Sequence, residues 1–191
     1  MRALAAVVCV AGMICLSNCT PSLHPLYGEK DTVFDPGLIG KWGEAEDKTN
    51  EETWQFEKFG DNAYTLILNE TNKKARSVFR VHLVRLGSRT FFDAILQNRF
   101  VDGVEVDESD LIPPHWFGRL SRQGDSLNCA LLDADWLKQA IAANRVRVRH
   151  EMLSDGAIIL TAPTKELQSL VLKLADDEKA FPWGEPLVRK K

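Results

Sequence analysis

The long run Arg76–Leu86 places Phe79, Val81 and Leu83 on one face and Arg80 and His82 on the other. A period of two is the signature of a strand with one buried face, and the same period recurs through most of the chain. Leu38 to Trp42 opens the series. Thr53-Trp54-Gln55-Phe56-Glu57 follows with Trp54 and Phe56 inward, then Ala63 to Asn69, and Thr90 to Leu96 after Gly87-Ser88. Phe59-Gly60-Asp61-Asn62 and the polar stretch Asn69 to Lys74 are turns. Connections this short cannot carry parallel crossovers, so successive strands are antiparallel neighbours in a meander.

Gln97 to Pro114 breaks the rhythm with Asp102-Gly103, four acids (Glu105, Asp107, Glu108, Asp110) and Pro113-Pro114. A connection of that length is typical of functional or disordered segments. Strands resume over His115 to Arg122 and through Leu127, Cys129 and Leu131, then at Val146 to Met152 and Ala157 to Ala162. Two short helices interrupt them. Asp133 is placed to cap one that presents Trp136, Leu137, Ala140 and Ile141 on a face. Thr164 is placed to cap another with Leu167, Leu170, Val171 and Leu174 in phase. The expected fold is mostly β (α+β): an antiparallel meander of about eight or nine strands, barrel-like, with two short helices.

The N-terminus reads as an export signal. Met1-Arg2 precede an apolar run of 14 residues, Ala3 to Leu16, and then Ser17-Asn18-Cys19. Roughly 20 apolar residues are needed to span a bilayer, and polar Thr20 and Pro21 follow at once, so cleavage is favoured over a membrane helix. Removing 1–18 leaves roughly 170 residues, enough for one domain with a substantial core. Residues 19–37, with three prolines, read as a tether part of which docks, and 38–191 as a single β-rich domain.

Leu16-Ser17-Asn18-Cys19 resembles the bacterial lipobox, which implies that Cys19 carries acyl chains holding the protein to a membrane. The alternative is ordinary cleavage after Cys19. By resemblance to lipoprotein sorting, Thr20 implies the outer membrane, facing the periplasm, if the organism has two membranes. From Cys19 to Tyr27 the chain is similar to uncharacterised bacterial lipoproteins that begin Cys-x-Pro-Ser-Leu-x-Pro-Leu-Tyr. Gly40-Lys41-Trp42, heading the first strand, resembles the Gly-x-Trp of lipocalins, which implies an eight-stranded barrel around an apolar ligand. The second lipocalin motif, Thr-Asp-x-x-Tyr, does not occur.

Chemistry-bearing patterns are sparse. The serines fall in no Gly-x-Ser-x-Gly elbow, and Cys129 alternates with Leu127 and Leu131 as a buried thiol would. His24, His82, His115 and His150 lack metal-ligand spacing, and the acidic loop lacks the order of a Ca²⁺ loop, so neither metal nor cofactor is expected. His82 reads as outward-facing beside Arg80, and His150 as interior with Val146, Val148 and Met152. The net charge of −3, more negative once Arg2 leaves, gives no basis for nucleic acid binding. Trp42, Trp54 and Trp116 are candidate ligand-lining residues, against a plain core role. Arg145, Arg147 and Arg149 share one strand face and are candidates for an anionic or protein partner, against a solvated face.

The expectation is therefore a non-enzymatic envelope lipoprotein that binds an apolar or amphiphilic ligand in its barrel. The alternative is an interaction module that assembles with another envelope protein through the acidic loop or the Arg residues.

Overall fold

The structure is a computed structural model and describes residues 19–47, 49, 51–107 and 112–191. Residues 1–18, which the sequence reads as an export signal, and Glu108 and Asp110 of the acidic loop lie outside the described residues.

In chain order the strands are β1 (Pro21–Ser22), β2 (Thr32–Val33), β3 (Gly40–Glu44), β4 (Glu52–Phe59), β5 (Ala63–Glu70), β6 (Ala75–Leu86), β7 (Arg89–Val101), β8 (Val104–Glu105), β9 (His115–Gln123) and β10 (Ser126–Leu131). Helix α1 (Ala134–Ala142), strands β11 (His150–Met152) and β12 (Ile158–Leu160), helix α2 (Thr164–Leu174) and strand β13 (Leu187–Arg189) complete the set. Eight of these strands, in the order β3-β4-β5-β6-β7-β9-β10-β13, pair antiparallel and close into a barrel as β13 returns to β3. The meander expected from the two-residue period is thus a closed barrel, which leaves no free edge among its own strands.

Two apolar cores share the barrel wall. The interior holds Trp42, Trp54, Phe56, Phe79, Val81 and Phe92 among others. On the outside, Val84, Leu86, Phe91, Phe117 and Ala130 pack against one face of each helix, including Leu137 and Ala140 of α1 and Leu167, Leu170 and Val171 of α2. Phe91 and Phe92 are adjacent because alternate residues of β7 point into different cores. Gly118, inward on β9, lies so close to the Ala130 carbonyl that a Cβ would collide with it.

Several sequence expectations need correction. Gln97 does not end a strand: β7 runs to Val101 and turns at Asp102-Gly103, with φ of 51° and 80°, into β8. Two left-handed residues make the tight turn whose twist suits a hairpin, and Asp-Gly is a preferred pair for it. Residues 145–149 are not a strand. Val146 and Val148 are buried and the three arginines exposed, but paired structure begins only at His150, and Met152 is exposed. Thr164 is the first residue of α2 rather than its cap; Pro163 holds that place and the Thr164 hydroxyl donates to Pro25 O at 2.9 Å. Asp133 does cap α1, accepting from Trp136 N at 2.7 Å.

Docking of 20–37 extends along the segment. Pro21–Ser22 lies between β9 and β12, Leu26 is fully buried, and Thr32–Val33 pairs with β6. Among the described residues no helix is long and apolar enough to cross a membrane.

Candidate functional site

One end of the barrel is sealed by the turn before β3. Asp35 starts a 3-10 turn, Pro36–Leu38, whose Leu38 drops fully buried into the interior. Tyr64 Oη accepts from Asp35 N (2.6 Å) and donates to Asp35 O (3.1 Å), and burial pushes its phenol up to about 12. Arg122 grips the Asp35 carboxylate with Nε (2.8 Å) and Nη2 (3.1 Å), which holds that carboxyl below its ordinary value. Trp42 Nε1 donates to Leu38 O at 2.9 Å, so its indole points toward this seal. Arg189 lies over the Trp42 ring, 4.3 Å from its centroid, and donates to Ile39 O (2.8 Å) and Gly37 O (2.6 Å).

The opposite end differs. Strand direction places Leu68, Leu96, Trp116, Cys129 and Leu131 away from the seal, and all five are only partly buried although they pack on the interior core. Trp116 meets Phe79 edge-on at 5.9 Å. Trp54 points this way, donating from Nε1 to Glu52 Oε1 at 3.0 Å. Glu52 and Glu70 are direct cross-strand partners at the rim. Burial, reinforced by Glu70 and Glu44, raises the Glu52 carboxyl above its ordinary value despite the Trp54 hydrogen bond. Beside the rim lies a cavity of about 460 Å³ lined in part by Glu70, Lys74, Arg76 and Phe100. This end therefore presents partly buried apolar side chains with two carboxylates, Glu52 and Glu70, at its edge.

Of the residues singled out in the sequence, Trp42 and Trp54 are direct cross-strand partners on β3 and β4, with Trp42 bonded to the sealing turn, while Trp116 packs on Phe79 of the same interior core. The arginines form no joint site. Arg145 lies over Trp136, Arg149 pairs with Glu166 at 2.9 Å, and Arg147 is exposed. Cys129 sits near the mouth with its thiol pushed up to about 12 by burial, so it is a poor nucleophile. Cys19 bridges to Asp133, and Thr20 N donates to Leu132 O at 3.1 Å.

A polar cluster on the outer wall has no local signal in the sequence. Asp93, buried on β7, accepts from Leu26 N (2.7 Å) and meets His115 Nδ1 (2.7 Å). His82 does point outward, but Tyr27 stacks on it at 4.2 Å, and burial lowers its pKa. These contacts fasten the docked segment to the barrel, and only the fold brings Leu26, Asp93 and His115 together. Among the described residues no group of three His, Cys, Asp or Glu is placed to hold a metal ion.

Comparisons with family models, curated proteins and solved structures found no match.

Proposed function

We propose that this protein is a lipid-anchored envelope binding protein that takes an apolar or amphiphilic ligand through the mouth of its barrel. The observation that carries the reading is the difference between the two ends: one is stoppered by Leu38, Trp42 and Arg189, the other is lined by partly buried Leu68, Leu96, Trp116 and Leu131. A barrel sealed at one end and apolar within suits a ligand that enters at the other end. The anchor is proposed on Leu16-Ser17-Asn18-Cys19, with the domain docked directly behind it rather than on a free spacer. Titration of the soluble form, residues 20–191, with fluorescent fatty acids tests the ligand reading. Saturable binding weakened by Trp116→Glu is expected, and no saturation with any of a panel of lipids would remove it. Mass spectrometry of the protein from its own membrane tests the anchor through the added mass on Cys19.

A second reading rests on Val104, Val106 and Ile112, which are exposed apolar residues beside the acids of the β8–β9 connection. Exposed apolar side chains along one connection suit a protein partner in the envelope. Deleting 102–110 then removes partners in a crosslinking pull-down, and an unchanged partner set refutes it.

A further inference from the structure

Outside the seal, between the β6–β7 turn and β9, lies a groove of about 360 Å³ whose lining carries four arginines: Arg85, Arg89, Arg119 and Arg122. Two are neutralised. Arg122 is held by both oxygens of Asp35, and Arg89 pairs with Asp176. Arg85 and Arg119 are not ion-paired among the described residues, and Arg119 lies over Trp183, 4.6 Å from its ring centroid. Two surplus guanidinium charges therefore face one concavity. Like charges so placed repel, and a concave low-dielectric wall focuses their field. An oxyanion relieves that repulsion, and the guanidinium fork matches phosphate oxygens. Ser88, Thr90 and Ser121 also line the groove, residues whose hydroxyls are hydrogen-bond donors, while Phe34 and Trp183 give it an apolar side.

The geometry points to a phosphate-binding site in this groove, taking a phosphoryl group free in solution or on a lipid headgroup. The site is separate from the barrel mouth and stands or falls independently of the ligand proposed there. It also differs from the Arg145–Arg149 segment, whose side chains diverge.

Isothermal titration of the soluble 20–191 form with inorganic phosphate, at ionic strength matched with chloride, is one arm. Co-sedimentation with phosphatidylcholine vesicles with and without phosphatidic acid is the other. Arg85→Gln with Arg119→Gln is the test variant, and Arg145→Gln with Arg147→Gln is the charge-matched control. Saturable binding in either arm is expected, weakened on the order of tenfold or more in the test variant and retained in the control. Saturation by inorganic phosphate assigns a soluble source; saturation only by phosphatidate vesicles assigns a headgroup. No saturable binding in either arm, or equal loss in both variants at unchanged melting temperature, overturns the site.

Discussion

Arg189 stacks on Trp42 while its two terminal nitrogens hold the carbonyls of Ile39 and Gly37, so one side chain of β13 fixes the first strand, its register and the sealing turn together. Charged hydrogen bonds to carbonyls and a desolvated cation–ring contact are each worth a few kcal/mol at most. Arg189→Ala should lower unfolding free energy by about 2–4 kcal/mol in urea. Lysine, without the planar fork, should recover only part. A loss under about half a kcal/mol would show that the seal stands without it.

Leu170 is buried between α2 and the outer barrel wall, whereas Leu172 on the same helix is exposed. Leu170→Ala should cost about 2–5 kcal/mol, and Leu172→Ala within about half a kcal/mol of zero. Equal effects would mean that α2 does not dock by the face described.

Glu52 bears on pH. Its folded pKa lies above the ordinary glutamate value, so the folded state holds the proton longer than the unfolded chain. Stability from this group is then greatest below that value and is lost as pH rises through the raised one. Glu52→Gln keeps an acceptor for Trp54 and removes the ionisation. The variant should be more stable than the parent at pH 7, with the gap closing near pH 4. A gap of the same size at both pH values would contradict burial of an ionised carboxylate.

Cys129 provides a chemical probe of the mouth. With its thiol pushed to about 12, the thiolate fraction at pH 8 is on the order of one in ten thousand. Disulfide-reagent labelling of the folded 20–191 form, which lacks Cys19, should be slow, faster by roughly tenfold per pH unit, and fast in denaturant. Rapid labelling of the folded protein at pH 7 would place the thiol in water.

Much of the barrel was legible before the fold was known, because seven of its strands each carry a buried face with a two-residue period. The eighth was not. Leu187 and Val188 stand between Pro186 and the basic Arg189-Lys190, too few residues to show any period. The sequence shows β7 only as far as Leu96, because Asn98 and Arg99 are polar on a stretch that is largely solvent-facing. Trp54 and Trp116 were recognisable as candidates from residue type alone, and Trp42 from its motif. The seal and the arginine groove were not recognisable, since Asp35 and Arg122 are 87 positions apart and Gly37 and Arg189 are 152 apart. No local pattern marks partners at such separations.

The placement of β13 also sets an order in time. Seven strands of the wall pair with sequence neighbours or near neighbours, but the ring closes only when residues 187–189 reach both β3 and β10. Until then β3 and β10 each present an unpaired edge, and the turn that stoppers the barrel lacks the side chain that holds it. Closing so long a loop is costly before its contacts form. A chain whose β13 has not yet docked is therefore an open sheet with two unpaired borders. Those two borders, unpaired, offer the same backbone donors and acceptors to any other strand, which makes the β13 seam the barrel's exposed point.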